Sequence, residues 1–102
     1  MSKKAKIETV PYDAAEFLRT DEECAMYLQA VMEEDGVTER NIAAALGDIA
    51  RARGMAQLAR DTGLAREALY RSLSSEGNPN LSTLLKVTRA LGLKLVPQPI
   101  AA

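Results

Sequence analysis

Glycine stops recur along this chain at short intervals, and they limit what it can build. Asp35-Gly36, Gly54, Gly63 and Gly92 each follow a stretch of helical character, and glycine readily accepts the left-handed turn after a helix end. Inside the stretches, residues suited to an inner face return every three or four positions, the period of a helix lying on a core. The clearest stripes are Cys24, Tyr27, Leu28, Val31 and Met32, then Ile42, Leu46, Ile49 and Ala50, then Leu81, Leu84, Leu85, Thr88 and Leu91. Helices this short draw their stability from packing on one another rather than from propensity. The chain therefore reads as an all-α bundle of five to six helices.

Candidate N-caps sharpen the outline: Asp13 for a short turn through Leu18, Asp21 with Glu22 and Glu23 behind it, Thr38, and Asn80. Residues 1–11 read as a flexible polar arm ending at Pro11. Residues 12–97 read as one domain, with acidic helices over 12–36 and a core over 38–92, and residues 98–102 as a tail. Ser75 to Pro79 is a loop. Leu93-Lys94-Leu95-Val96, extended before Pro97 and Pro99, is a candidate C-terminal β-strand.

The residue inventory argues against an enzyme. The chain has no histidine, the commonest general base and a leading zinc ligand, and no glycine-rich phosphate loop behind a strand. Its one cysteine, Cys24, lies on an apolar stripe, where a buried structural thiol is the expected role. No metal or other cofactor is expected. No apolar run is long enough to span a membrane, and no apolar stretch follows the basic N-terminus as in a secretory signal. A cytoplasmic chain is the expectation.

The net charge of −1 conceals two unlike halves. Residues 1–39 carry four basic against ten acidic side chains, residues 40–73 six against three, and residues 74–102 three against one. An acidic first third joined to a basic remainder suits two surfaces with different partners; a pair of solvated helix faces is the plainer account.

The basic part contains the segment MAQLARDTGLAREALYRSLS (55–74). Two short helices about a glycine turn form a helix-turn-helix arrangement. Ala59 is small enough for a steep helix crossing, Gly63 accepts the positive φ of the turn, and Leu58, Leu64, Leu69 and Leu73 can lock both helices to a core. Ser72 stands where such motifs usually place an apolar residue, and Leu73 compensates. Unrolled at about 100° per residue with Leu69 inward, the second helix turns Arg66, Glu67, Tyr70 and Arg71 outward. Such a face suits the DNA major groove. Arginine pairs in bidentate fashion with guanine, and Tyr70 can meet a phosphate or a thymine methyl. Glu67 can accept from cytosine or pair with Arg71 at i, i+4, the latter slightly preferred. Gln57 is placed to touch a phosphate near a helix N-terminus. Asn78 and Asn80 can reach the DNA backbone, although turn and capping chemistry accounts for both at least as well.

The stretch 45–93, with its ARARGM, LYRSLS and GNPN elements, resembles the probable addiction module antidote proteins of the HigA-like branch of the Xre/Cro helix-turn-helix superfamily. The upstream pieces YDAAEFL (12–18) and EECAMYLQAVMEEDG (22–36) are similar to that family too. Its members usually carry serine where Ala56 stands, and often where Ala65 stands, so both alanines remove an N-cap. The resemblance implies a type II antitoxin that neutralises a small basic RelE/HigB-like toxin and represses its own operon at a palindromic operator. The acidic segment 8–39 suits contact with a basic toxin, although Tyr27, Val31 and Met32 within it are more often core than interface. A palindromic double-stranded operator implies a homodimer. Its contact is expected at the last helix with the Leu93–Val96 extension, or at the N-terminal helix. A stand-alone repressor without a toxin, and a toxin-binding module with a vestigial DNA motif, are the competing readings.

Overall fold

The computed structural model describes residues 17–101, so the expected arm and the Asp13 cap lie outside it. Among the described residues five helices follow one another: α1 (Asp21–Met32), α2 (Glu39–Arg53), α3 (Met55–Thr62), α4 (Arg66–Ser72) and α5 (Leu81–Ala90). The fold is all-α, and no strand is present among the described residues.

Side chains at the helix starts explain the boundaries. Thr20, rather than Asp21, caps α1: its hydroxyl accepts from the Glu23 backbone N–H while the Glu23 carboxylate accepts from the Thr20 N–H. This reciprocal box satisfies two orphan donors at once, and Asp21 becomes the first helical residue. The backbone N–H of Arg19, with that of Thr20, holds the Glu23 carboxyl below its ordinary range. Thr38 and Asn41 repeat the same box on α2, and the Asn80 Oδ1 accepts from the Thr83 N–H on α5 at 2.8 Å.

Two helices lack such support. Gly54 precedes α3 and Ala65 precedes α4, and neither offers a side-chain cap. Ala65 is the position where the missing cap matters. It is exposed and its backbone lies in the extended region that an N-cap adopts. Ala56, by contrast, lies inside α3 and not at its cap. Ala65→Ser is expected to stabilise the chain by about 1 kcal/mol, a rise in Tm of roughly 4–8 °C. Thermal denaturation checks this; an unchanged or lower Tm contradicts it.

The core forms around α2. Leu46, Ile49 and Ala50 of α2 are completely buried, with Cys24 of α1, Leu69 of α4, Leu73 and Val87. Helix α1 packs on α2, and α3 touches α2, α4 and α5. Cys24 takes the expected structural role: burial pushes its thiol up, against the opposing effect of the Arg53 guanidinium. Three expectations fail at the edges. Leu81 begins its helix exposed at 68 %, because it precedes the turn of α5 that faces the core, and Met32 is exposed at the end of α1. The third is the C-terminal strand. Leu93 is buried and its N–H donates to the Thr88 carbonyl, but Lys94 to Val96 run extended beside no other strand, and a ladder needs two.

A polar network ties α1 to α2. The Tyr27 hydroxyl donates to Asp48 Oδ2 at 2.6 Å, and Arg51 donates to Asp48 Oδ1 at 3.0 Å. Asp48 is only 8 % exposed, so each lost donor leaves a buried acceptor short. Tyr27→Phe is expected to cost about 1–3 kcal/mol. Burial, reinforced by the Asp48 carboxylate, raises the Tyr27 hydroxyl above its ordinary pKa of 10.0. The unfolded chain therefore loses this proton first, and stability falls as pH rises past about 10. Urea titrations near pH 8 and pH 10.5 check both points. The fall must be shallower in Tyr27→Phe.

Candidate nucleic-acid interface

The segment between Gly54 and Ser74 is built from local constraints that fix one helix against another. Met55 and Leu58 bury one side of α3. Its end is held by Thr62, whose Oγ1 donates to the Leu58 carbonyl at 2.8 Å and accepts from the Leu64 N–H at 3.2 Å. Gly63 follows in the left-handed region at φ 75° and donates its N–H to Ala59. A side chain at Gly63 would meet no neighbour, so backbone conformation rather than space selects glycine there. Leu64 then turns back onto the core, with Ala59 half-buried beside it.

Helix α4 is anchored by Leu69 and Leu73, both completely buried. Ser72 is half-buried and its hydroxyl reaches only the Leu69 carbonyl, at 3.5 Å, so Leu73 does supply the apolar anchor that Ser72 lacks. Gly47 of α2 seats the end of α4: a Cβ at that glycine would lie 2.0 Å from the Leu73 carbonyl oxygen. The two backbones meet with no room between them.

With α4 held on that side, Arg66, Glu67, Tyr70 and Arg71 are all exposed. Tyr70 keeps 42 % of its surface in solvent. The two ion pairs among the described residues are Arg51–Asp48 and Arg53–Asp21. The expected Glu67–Arg71 pair is therefore not formed. An exposed i, i+4 pair gains only about 0.2–0.5 kcal/mol, too little to outweigh the freedom of two long side chains. None of the four side chains has a hydrogen-bond or ion-pair partner among the described residues.

The other proposed contacts divide. Arg71 and Asn78 line one cleft of about 350 Å³ between α4 and the loop before α5, together with Glu76 and Thr83. Gln57 lies elsewhere, in a cleft with Asp21, Arg53 and Asp61. Its amide is occupied there: Nε2 donates to Asp61 Oδ1 at 2.7 Å, and Oε1 accepts from Arg60 at 2.8 Å. Asn80 acts as a helix cap. Thr83 is a residue that sequence reasoning passed over. It lines the Arg71–Asn78 cleft, and its place three residues after the Asn80 cap, where its N–H donates to Asn80 Oδ1, puts it in the first turn of α5.

A family model described as "Probable addiction module antidote protein" matches residues 8–99. An uncharacterized protein of Haemophilus influenzae is 48 % identical over 87 residues, covering 85 % of this chain and 88 % of that protein. No solved structure matches the chain.

Proposed function

The chain belongs to the family of probable addiction module antidote proteins, and from that premise we propose that it is the antitoxin of a type II toxin–antitoxin module. In this reading it neutralises a RelE/HigB-like toxin. It also represses its own operon as a homodimer, through a helix-turn-helix of the Xre/Cro type formed by α3 and α4, and it acts in the cytoplasm. No helix among the described residues is long and apolar enough to cross a membrane.

One observation carries the DNA-binding half. Helix α4 is locked to the core by Leu69 and Leu73, yet its arginines and tyrosine face solvent without partners. Long cationic side chains on a rigid, narrow helix suit the major groove, which admits one α-helix. Arg66 and Arg71 are the guanine-reading candidates, Glu67, which is not paired with Arg71, can accept from a cytosine amine, and Tyr70 meets a phosphate or a thymine methyl. Asn78, with Arg71 in one cleft, contacts the DNA backbone. Gln57 reaches a phosphate only by exchanging its hydrogen bonds to Asp61 and Arg60. One such helix covers too few base pairs for useful specificity, and a dimer reading two half-sites a helical turn apart supplies the rest.

Co-expression and footprinting test the proposal. The product of the small reading frame beside this gene should arrest growth alone, be relieved by this chain, and co-purify with it, while the chain protects its own promoter. Promoter protection without a toxic neighbour indicates a stand-alone repressor. Relief of toxicity without promoter protection indicates a toxin-binding module whose helix-turn-helix no longer reads DNA.

A further inference from the structure

Gly77 stands in the loop between α4 and α5, where glycine ordinarily serves a turn. Among the described residues positive φ occurs at Gly36, Gly54, Gly63 and Gly92, and not at Gly77. Space selects glycine here instead. Gly77 is buried, and a Cβ on it would lie 2.1 Å from the Ser72 carbonyl oxygen, 2.5 Å from the Ser72 carbonyl carbon and 2.8 Å from the Arg71 carbonyl oxygen. All three are backbone atoms of the last turn of α4. The end of that helix is therefore seated between two glycines: the Leu73 carbonyl meets Gly47 of α2, and the Arg71 and Ser72 carbonyls meet Gly77.

The rest of the loop is tied to the same helix end. Ser74 Oγ donates to the Arg71 carbonyl at 3.1 Å and accepts from the Glu76 N–H at 3.3 Å. The Gly77 N–H donates to the Ser74 carbonyl at 2.9 Å. At the far end Asn80 is fixed as the cap of α5, and Pro79 restricts the backbone of the residue before it. Between these anchors Asn78 is exposed, and its side chain has no hydrogen-bond partner among the described residues. It shares one cleft with Arg71. Glu76 lines that cleft too and opposes a phosphate inside it, which leaves the exposed Asn78 amide as the group that can meet the DNA backbone.

We infer that Gly77 is a positioning residue of the DNA-reading surface: by admitting the loop against the Arg71 and Ser72 carbonyls, it holds the Asn78 amide in register with Arg71. Helix α4 and the loop then engage the duplex as one rigid unit. This rests on the DNA-binding reading of α4 and adds to it a residue that touches no DNA itself. Contacts to the DNA backbone fix the register and orientation of a reading helix, so a loop fastened to α4 helps to aim Arg71. Any side chain at position 77 pushes the loop off the helix end, because backbone atoms have no rotamer through which to yield.

A double-mutant cycle on binding of the full chain to its own promoter fragment tests this, with the urea midpoint of each variant as the separate measure of folding. Asn78→Ala alone should weaken binding about fivefold, the scale of one hydrogen bond. Gly77→Ala should weaken it about fivefold or more, and Asn78→Ala added to it should then change affinity by less than about twofold. Ser74→Ala removes the bridge to Arg71 without adding bulk; it should show the same coupling to Asn78 and replaces Gly77→Ala in the cycle if that variant does not fold. Arg66 lies about 9 Å along the axis from the end of α4, so Arg66→Ala should weaken binding by the same factor in the parent and in the Gly77→Ala background. A helix that is merely loosened would couple to Arg66 as well. If the unaltered chain does not bind its promoter, the DNA-binding reading itself falls. If it binds, but Asn78→Ala has no effect or its full effect persists in the second background, only the positioning role is overturned. Coupling to Arg66 as strong as the coupling to Asn78 also overturns it.

Discussion

Gly47→Ala is expected to destabilise this chain by about 2 kcal/mol. In an ordinary helix interior the same change would stabilise by about 1 kcal/mol, because alanine loses less backbone freedom on folding. Packing reverses the sign here. The added Cβ would sit 2.0 Å from the Leu73 carbonyl oxygen and 3.1 Å from its carbon. Those are backbone atoms, so no side-chain rotation relieves the overlap. Either α4 moves off α2 or α2 bends, and both disturb Leu46, Ile49, Leu69 and Leu73, all completely buried. Overpacking a close core contact costs typically 1–3 kcal/mol and occasionally more, and the helix-propensity gain only partly offsets it. Since a domain's whole stability is about 5–15 kcal/mol, the variant should show a much lower urea midpoint. An equal or higher midpoint at unchanged slope would mean that the backbones of α2 and α4 do not meet as described.

Replacing Arg66 and Arg71 together by alanine should have the largest effect on DNA binding and almost none on folding. Each lost base contact costs about 1–3 kcal/mol, so the pair should weaken operator binding by roughly 30-fold to 20,000-fold. Neither side chain has an ion-pair partner among the described residues, so stability should stay within about 0.5 kcal/mol of the parent. The combination is diagnostic: a core mutation lowers both quantities, a recognition mutation only one. Operator affinity unchanged in the double variant would remove α4 as the reading helix.

Much of the architecture could be read in the sequence because local chemistry marks it. Thr38, Gly54, Gly63 and Asn80 sit at helix ends as expected, since capping and left-handed turns restrict which residues serve. The sequence alone places the cap of α1 one residue late, at Asp21 in place of Thr20, because both are good caps. Glu23, three residues beyond Thr20, is the mark of the capping box that decides between them. Leu81 fits an apolar stripe but has no core opposite it, and a stripe does not say how far the core extends. Contacts between distant segments left no local mark. The hydrogen bond from Tyr27 to Asp48 spans 21 positions, and the seat of Leu73 on Gly47 joins two helices with α3 between them. The same holds for the candidate site. The outward set on α4 followed from helical period and one inward leucine. The amide of Gln57 is taken up inside α3 by Asp61 and Arg60, and the cleft that Arg71 shares with Asn78 depends on how α4 and the loop before α5 come together. Glu67 and Arg71 had the spacing of an ion pair, yet spacing permits a weak surface pair without enforcing it. Leu93–Val96 had the composition of a strand, but a strand is a property of two segments.

The exposed face of α4 is proposed to bind duplex DNA through its cationic side chains. The most direct test is a titration of the purified chain against its own promoter fragment over about 50–200 mM salt, in parallel with the Arg66→Ala/Arg71→Ala variant. The parent should bind with an affinity that falls linearly on a log–log plot as counterions are released, and the variant should bind more weakly and with a shallower slope. Equal affinity and equal slope for the two proteins, or no binding by the parent even at the lowest salt, would contradict it.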